Sequence, residues 1–208
     1  MGVSEEQARE VVAFFRDHDV PTLIIGGVAI VAQGGRATED VDLFVATRDF
    51  AGLEDAISGD SRVREFGTVG SVSKFYFRLR SRRVEIRVDV LNPQVFSGTR
   101  SGDEFFGFIW DHHSYDSNAG RMAKPEVVWY TRLLVPRMAY RDKIAQDIEN
   151  GAPVEWLDRA LEIARHFGRT KIARSRALEV TKLLGTLGVG GPPTTPPTGD
   201  PSGPHRKE

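Results

Sequence analysis

The chain contains no cysteine among its 208 residues. That absence excludes a disulfide scaffold, a thiolate metal site and a cysteine nucleophile. No apolar run approaches the roughly 20 residues that a membrane-spanning helix needs. An excess of one charge is missing as well, because the formal net charge is −1. Any nucleic-acid partner would therefore have to meet a local basic patch rather than a global basic field.

Two common nucleotide-binding signatures are also missing. There is no phosphate-binding G-x-x-x-x-G-K-[ST] loop, and no dinucleotide fingerprint follows a predicted strand. The first residues, MGVSEEQARE, are acidic and polar, unlike a signal peptide. Hydrophobic residues make up 40% of the chain and charged residues 27%, as is ordinary for a globular protein. We therefore expect a soluble, cytoplasmic protein with one sizeable domain, or one domain and a helical appendage.

The first half of the chain mixes helical and strand patterns. Ser4 and Gln7 fit a capping box, and apolar residues at helical spacing predict a helix to about His18. A short buried strand at 22–25 ends at a glycine pair, and a short helix follows to Gln33. Further predicted elements are a strand over Asp40 to Val45, a helix over Arg48 to Ile57, strands over Lys74 to Arg80 and Arg83 to Leu91 with Ser81 and Arg82 in the turn, and a strand around Phe105 to Trp110.

The second half is predominantly helical in pattern. Its candidate helices are Pro125 to Leu134, Arg137 to Asn150, Pro153 to Phe167 and Lys171 to Leu184. The last stretch, GVGGPPTTPPTGDPSGPHRKE, holds six of the 11 prolines and should be disordered. The expected fold class is α/β (α+β), a small mixed sheet flanked by helices and followed by a C-terminal helical region. The expected domains are an α/β core at 1–120, a helical region at 121–186 and a disordered tail at 187–208.

The most informative segment is PTLIIGGVAIVAQGGRATEDVDLFV, which begins at Pro21. It predicts a strand, a turn at Gly26 and Gly27, a short helix, and a second strand that carries Asp40 and Asp42 on one face. Glycines let a backbone approach phosphate closely. Two carboxylates on one face of an apolar strand are unfavourable unless a cation compensates them. This order of elements is suited to hold a nucleotide triphosphate and divalent metal.

A third acid, Asp89, lies in the later strand-like run VEIRVDV. Hard oxygen ligands suit Mg²⁺, and two such ions close together can clamp the attacking and leaving oxygens of a phosphoryl-type transfer. The pattern thus predicts metal-dependent nucleotidyl transfer. In this interpretation Asp40 and Asp42 hold metals against the triphosphate, while Asp89 completes the site and helps to deprotonate the attacking hydroxyl. Three acids on a solvated sheet face are the alternative.

These motifs resemble the polymerase-β-type nucleotidyltransferase superfamily, and within it the small prokaryotic nucleotidyltransferases of the AbiEii/MenT toxin kind. The resemblance covers about residues 20–165. The family's glycine pair matches Gly26 and Gly27, with Gly27 in a place often held by serine. Its two metal acids match Asp40 and Asp42, and its third, more variable acid matches Asp89. The resemblance implies a small α/β sheet core, Mg²⁺, use of an NTP, and often a toxin that acts on tRNA and has a cognate antitoxin.

The family also has a motif with basic and acidic residues on a helix after the sheet. The segment AYRDKIAQDIENG offers Arg141, Lys143 and Asp147 for it, with Asp158 one helix later. The resemblance places these residues at the nucleotide: Lys143 would neutralise the triphosphate, and Asp147, one helical turn later, would orient it. An ordinary surface pair at i,i+4 is the alternative.

Other polar residues could contact the nucleotide or an RNA partner. Arg36 and Thr38 lie between the glycine turn and the acids, where they could reach triphosphate or metal-bound water. Pairing of Arg36 with Glu39 is the alternative. Two basic clusters could follow an RNA backbone, although a solvated strand edge or helix face is the commoner origin of such runs. The clusters are Arg78, Arg80, Arg82, Arg83 and Arg87, and Arg165, Arg169, Lys171, Arg174 and Arg176.

The aromatic residues Phe75, Tyr76 and Phe77 are expected in core and cross-strand packing rather than base stacking. His112 and His113 are expected to point to opposite faces of a strand, which argues against a zinc site. The sequence thus predicts a Mg²⁺-dependent enzyme that moves NMP from an NTP to an acceptor hydroxyl and releases pyrophosphate. By family analogy the acceptor is the tRNA 3′ end. The alternatives are a small-molecule or protein acceptor, and a non-catalytic nucleotide- or partner-binding module.

Overall fold

The computed structural model of the protein describes residues 2–32, 38–57, 59–79 and 84–186. Within these residues a mixed sheet of seven strands is flanked by helices and followed by a C-terminal helical region. The fold is therefore the mixed α/β arrangement that the sequence predicts. The turn predicted at Ser81 and Arg82 and the tail predicted at 187–208 lie outside the described residues.

The strands of the described residues lie in the order β3-β4-β5-β2-β1-β7-β6. Their bounds are β1 Thr22–Ile25, β2 Asp40–Val45, β3 Val63–Val69, β4 Val72–Arg78, β5 Glu85–Leu91, β6 Ser114–Ser117 and β7 Gly120–Ala123. The pairs β2–β5 and β1–β7 are parallel, and the other neighbouring pairs are antiparallel. The two strands that carry the predicted acids, β2 and β5, are thus inner neighbours in the sheet.

Local sequence signals account for the starts of several helices. The bounds in the described residues are α1 Glu5–Asp17, α2 Gly26–Val31, α3 Thr47–Ala51, α4 Leu53–Ile57, α5 Gly102–His112, α6 Pro125–Leu134, α7 Met138–Glu149, α8 Glu155–His166 and α9 Thr170–Thr186. Ser4 and Gln7 form the predicted capping box of α1, which satisfies backbone N–H groups that a free helix end would leave unpaired. Pro125 lies in the first turn of α6, where its missing N–H is tolerated.

Alternation along β4 separates two faces of the sheet. Phe75 and Phe77 are buried on the face that packs against α1, where the Phe77 ring centroid lies 4.9 Å from that of Phe14. Their burial confirms the predicted core role of these two rings, whereas Tyr76 is 40% exposed and lies outside the core. Lys74, between Ser73 and Phe75, points to the opposite face because successive side chains of a strand alternate. The face opposite α1 therefore remains available for polar side chains at the middle of the sheet.

Helix α6 connects the sheet layer to the C-terminal helices. It contacts α2 beside the sheet and α7, α8 and α9 on its other sides, and most of its residues are buried. Tyr130 donates a hydrogen bond to the backbone carbonyl of Phe96, and its ring centroid lies 5.7 Å from that of Phe105. Trp129 packs against Trp156 of α8 with ring centroids 5.4 Å apart. This one helix thus fixes the position of the helical region against the sheet.

The strand predicted around Phe105 to Trp110 was wrong, because this segment lies in helix α5. Ser101 and Glu104 close a capping box at its start, and Phe105 and Ile109 are buried one helical turn apart. The apolar run FFGFIW fits a buried strand or a buried helix by composition alone. His113 therefore follows a helix end rather than lying on a strand, and its Nδ1 lies 3.1 Å from Oε1 of the buried Glu126.

Other differences concern short elements. Strands β3, β6 and β7 were not predicted, and the single helix predicted over Arg48 to Ile57 is two helices separated by Gly52. Strand β7 pairs with β1, so the sheet extends to Ala123. The division of the chain into domains stays a prediction. In the part of the chain that the structure describes, no helix combines the length and the apolar character that crossing a bilayer requires.

Candidate functional site

The glycine pair at the end of β1 lies directly against the acidic strand. Gly26 has φ of +69°, and a Cβ built on it would lie 1.9 Å from Oδ2 of Asp42. A Cβ on Gly27 would lie 2.3 Å from Oγ1 of Thr38, and the Gly27 backbone N–H donates a hydrogen bond to Asp42. Both contacts are far shorter than van der Waals distance, so a side chain at Gly26 would displace Asp42 and one at Gly27 would displace Thr38. The two glycines thus let the acidic strand pack closely against the chain at the point where α2 begins.

The parallel pairing of β2 with β5 brings the three predicted acids together. Asp42 is the direct register partner of Asp89, and Asp40 lies two residues earlier on the same face of β2. One carboxylate oxygen from each of the three lies within 4.8 Å of the others. Asp89 is buried, whereas Asp40 and Asp42 are partly buried. The structure thus assembles a compact group of three carboxylates on the face opposite α1.

Two cations and a hydroxyl lie against this group. Arg87 Nη2 donates to Oδ2 of Asp40, and Arg87 Nε lies 3.4 Å from Oδ1 of Asp89. Lys74 Nζ donates to Oδ2 of Asp89 at 3.2 Å, because Lys74 is the register partner of Asp89 on β4. Thr38 Oγ1 donates to Oδ1 of Asp40 at 2.8 Å. Thr38, predicted to reach the nucleotide, therefore orients a carboxylate in the structure.

The electrostatics of the group are most evident at Asp42. Burial, and after it the negative charges of Asp40 and Asp89, together raise the pKa of Asp42 from 3.8 to about 7. The hydrogen bond from Gly27 and the charge of Arg87 oppose that rise but do not cancel it. The cations that the chain itself supplies are therefore insufficient for three ionised carboxylates. An additional cation would allow Asp42 to ionise at neutral pH.

The donor set fits a divalent metal ion. Oδ1 of Asp89 is buried and forms no hydrogen bond, which is costly for a carboxylate oxygen unless it has another partner. All three side chains offer hard oxygen ligands of the kind that Mg²⁺ and Mn²⁺ prefer. A divalent ion held by Asp40, Asp42 and Asp89 would satisfy that oxygen and offset the mutual repulsion that raises the pKa of Asp42.

The acids form the floor of a cleft of about 410 Å³, a volume within the range of small-molecule sites. Its opposite wall comes from α6, α7 and the segment that joins them. The wall residues that carry polar or aromatic groups are Arg132, Arg137, Tyr140, Lys143 and Asp147. An acidic floor thus faces a predominantly cationic wall across one cavity.

A buried ion pair orders the wall. Arg132 Nη1 lies 2.5 Å from Oδ2 of Asp147, and the Trp129 indole N–H donates to the same oxygen at 3.2 Å. Asp147 is almost fully buried, so its charge is compensated inside the protein. Lys143 is partly buried, and its Nζ lies 5.4 Å from the ring centroid of Tyr140. In the structure Asp147 therefore holds the guanidinium of Arg132 in position. The sequence patterns predicted no role in the site for Arg132.

Two described residues of the predicted helical motif lie away from the cleft. Arg141 is buried between α7 and α9, with Nε 2.7 Å from Oε2 of Glu179, and does not line the cleft. Asp158 is exposed on α8, also away from the cleft. Arg36 lies outside the described residues. The cleft therefore contains Lys143 and Asp147 from the predicted helical motif.

Several arginines of the two basic clusters bind the protein itself. Arg78 pairs with Glu85 at 3.3 Å, and Arg169 and Arg176 donate to backbone carbonyls of Val95 and Leu133. Such contacts give these residues structural roles that need no RNA. Three members of the first cluster lie outside the described residues, namely Arg80, Arg82 and Arg83.

Comparison with known proteins adds a fold-level likeness. No protein-family model matches the chain, and no curated protein matches its sequence. Among solved structures, an antigenic nucleotidyltransferase-like protein from Paracoccidioides brasiliensis is similar at 15% identity and a TM-score of 0.49, over 89% of this chain and 94% of that one. A candidate nucleotidyltransferase from H. pylori is 12% identical with a TM-score of 0.39, over 88% and 96% of the two chains. JHP933 from Helicobacter pylori is 12% identical with a TM-score of 0.36, over 88% and 95%.

These distant likenesses concern the course of the chain, and the function is inferred from the residues of the cleft. Among those residues, the sequence patterns predicted no role in the site for Lys74 or Arg132, and they placed Arg87 in a basic cluster that could follow an RNA backbone rather than among the acids. The position of Arg87 two residues before Asp89 was a usable signal, because residues i and i+2 of a strand share a face. Lys74 and Arg132 reach the cleft through strand register and helix packing, for which the local sequence carries no equivalent signal.

Proposed function

We propose that the protein is a divalent-metal-dependent nucleotidyltransferase of the polymerase-β-type superfamily. It transfers NMP from an NTP to an acceptor hydroxyl and releases pyrophosphate. One observation carries the proposal: three carboxylates on neighbouring strands, within 4.8 Å of one another, face Arg132 and Lys143 across a cleft of nucleotide-compatible size. The floor suits metal ions and the wall suits phosphate oxygens, which is the division of charge that nucleotidyl transfer requires.

Asp40, Asp42 and Asp89 are the residues that would hold the metal. Bound Mg²⁺ would neutralise the triphosphate and the developing charge on attacking and leaving oxygens. The protein prepares these ligands by two means. Thr38 fixes one oxygen of Asp40, and the Gly27 backbone fixes Asp42.

The wall binds and orients the phosphate chain. Arg132 offers a planar guanidinium that Asp147 holds in place, so little freedom is lost when it binds an anion. Lys143 adds a second positive charge from α7. Gly26 lines the same cleft without a side chain, so the backbone leaves room for a phosphate group. Together these groups would position the triphosphate with its α-phosphorus towards the acids.

Asp89 faces the acceptor side of this arrangement. Because Oδ1 is assigned to the metal, the second oxygen of this carboxylate, Oδ2, would accept the proton of an incoming hydroxyl. The acceptor oxygen then forms a bond to the α-phosphorus as the bond to pyrophosphate breaks. The proton leaves the hydroxyl for the carboxylate, and pyrophosphate carries away the negative charge.

The identity of the acceptor is a further step of the proposal. Family resemblance favours the tRNA 3′ end, a toxin role and a cognate antitoxin. A small molecule or a protein side chain is the alternative acceptor. A non-catalytic nucleotide-binding module is the alternative of a different class, and it gives no reason for three mutually repelling carboxylates in one site.

Transfer of label from each α-labelled NTP to total tRNA in the presence of Mg²⁺ tests the proposal. We expect labelled tRNA with wild type and a loss of at least about a hundredfold with Asp42→Asn, since a metal ligand is removed. The matched control is Asp158→Asn, which changes an exposed acid outside the cleft and should retain activity. Equal activity of Asp42→Asn and wild type would contradict the assigned site.

Separate nucleotide-binding titrations distinguish a wrong acceptor assignment from a wrong enzyme assignment. Metal-dependent NTP binding without transfer to tRNA would remove the tRNA assignment and keep the enzyme class, with small-molecule and protein acceptors tested next. Absence of NTP binding under all metal conditions would remove the enzyme proposal itself.

A further inference from the structure

Arg87 lies at the centre of the acidic floor rather than at its edge. Strand β5 places it two residues before Asp89 on the same face, opposite Asp40 of β2. Its Nη2 bonds Oδ2 of Asp40 and its Nε lies 3.4 Å from Oδ1 of Asp89. Its charge also lowers the pKa of Asp42. A single guanidinium thus acts on all three carboxylates.

The guanidinium and a metal ion would compete for the same oxygens. A metal ligand oxygen must lie about 2.1 Å from Mg²⁺, so an ion shared by Asp40 and Asp89 would lie where the N–H groups of Arg87 now point. The two cations also repel each other at such short range. Lys74, by comparison, contacts Asp89 alone and approaches Oδ2, whereas Arg87 faces Oδ1.

We propose that Arg87 is the resident counter-cation of this site, which occupies the metal position in the free protein and moves aside when metal binds. The inference rests on the proposed function, because it takes the three acids as metal ligands. The Arg87 side chain is 47% exposed, so it has open space into which it can move. Tyr76, its cross-strand neighbour on β4, is 40% exposed and offers an aromatic face to the displaced guanidinium.

This exchange has a consequence for the order of binding. A metal ion that binds without nucleotide must displace Arg87 from Asp40 and Asp89. The displaced guanidinium then has no anionic partner. A metal–triphosphate complex brings anionic oxygens that the displaced guanidinium can bind. Arg87 therefore favours loading of the metal together with the nucleotide over loading of the metal alone.

Calorimetric titration of the metal-free protein with Mn²⁺, without nucleotide, tests the inference. The titration is run at pH 8.5, above the pKa of about 7 of Asp42 in the wild-type protein. We expect Arg87→Gln to bind Mn²⁺ about tenfold more tightly than wild type, as the loss of its two competing ion pairs, with Asp40 and with Asp89, predicts. The matched control is Arg64→Gln, which removes a half-exposed arginine from the same sheet that pairs with Glu85. Its Mn²⁺ affinity should equal that of wild type.

Arg87→Lys provides a second variant with the same charge. A single ammonium group cannot bridge Asp40 and Asp89 as the guanidinium fork does, so we expect an affinity between those of wild type and Arg87→Gln. If Arg87→Gln fails to fold, Arg87→Lys decides: tighter Mn²⁺ binding than wild type supports the inference, and equal or weaker binding overturns it. Equal or weaker binding by a folded Arg87→Gln overturns it as well.

The outcome is separable from the test of the proposed function. Absence of nucleotidyl transfer together with tighter Mn²⁺ binding by Arg87→Gln would refute the enzyme and leave the counter-cation role intact. Transfer by wild type together with unchanged Mn²⁺ binding by Arg87→Gln would refute the counter-cation role and leave the enzyme intact.

Discussion

Replacement of Asp42 by Asn should stabilise the metal-free protein, and by more at high pH than at low pH. The folded protein holds a proton on Asp42 up to about pH 7, whereas the unfolded chain releases it near the ordinary value of 3.8. The folded state therefore binds more protons between these values, and stability falls as pH rises through this window. Asn carries no charge, retains an oxygen that can accept the Gly27 hydrogen bond, and is nearly isosteric.

The magnitude follows from the pKa values. A rise from 3.8 to about 7 is about three units, which corresponds to a ceiling of about 4 kcal/mol lost from wild type at pH 8. At pH 5 only about one unit of that difference has been lost from the stability of wild type, or about 1.5 kcal/mol. The advantage of Asp42→Asn over wild type should therefore grow by about 3 kcal/mol between pH 5 and pH 8.

Urea unfolding in EDTA at both pH values measures this difference directly. Asp116→Asn is the control, because the Asp116 side chain is 85% exposed and its replacement samples a solvated carboxylate. An Asp42→Asn advantage that is the same at pH 5 and pH 8 would refute the reasoning, as would a loss of stability at pH 8. Added Mg²⁺ should stabilise wild type at pH 8 and leave Asp42→Asn unchanged, because metal binding needs the ionised ligand.

Two further substitutions test the packing of the floor and the wall. Gly26→Ala should lower the free energy of unfolding by about 2–3 kcal/mol and weaken Mn²⁺ binding, since its Cβ would meet Asp42 at a positive φ. Gly107→Ala, in α5 with nothing within 4 Å, should be neutral or stabilising by up to about 1 kcal/mol, and equal losses for the two variants would contradict the contact. Asp147→Asn should cost about 3 kcal/mol because it leaves the Arg132 charge buried without its partner, and Arg132→Met in the same chain should recover most of that loss in urea unfolding. A double variant no more stable than Asp147→Asn would mean that the pair does not act as a unit.

The sequence predicted the elements whose signals are local. Alternating apolar residues predicted β2 and β5, and the capping box at Ser4 predicted the start of α1. The run FFGFIW led to a wrong prediction because a short apolar run fits either a buried strand or a buried helix. Strands β6 and β7 have four residues each, and they exist because β7 pairs with β1, a distant partner. Pairing of that kind depends on tertiary structure rather than local sequence.

The candidate site likewise contains residues that local patterns predicted and residues whose position depends on packing. Strand patterns were enough to predict Asp40, Asp42 and Asp89 as one group, and the structure shows that the parallel register of β2 and β5 brings Asp89 beside Asp42. Arg141 and Lys143 were predicted to act at one nucleotide, but residues two apart on a helix point about 200° away from each other. Only one of them can face the cleft, and Arg141 faces α9 instead. The rotation of α7 about its axis is set by packing, which the sequence pattern did not specify.

The floor and the wall of the cleft come from different layers of the protein. The spacing of the three acids is set by the backbone ladder between β2 and β5, whereas the distance to Arg132 and Lys143 depends on how α6 packs against α2 and how α7 packs against α6 and α9. Small tilts of those helices would change the width of the cleft and leave the separation of the acids unaltered. For protein engineering, the two layers can be changed independently. The helices can be redesigned to admit larger or smaller ligands while the strands keep the spacing of the three acids fixed.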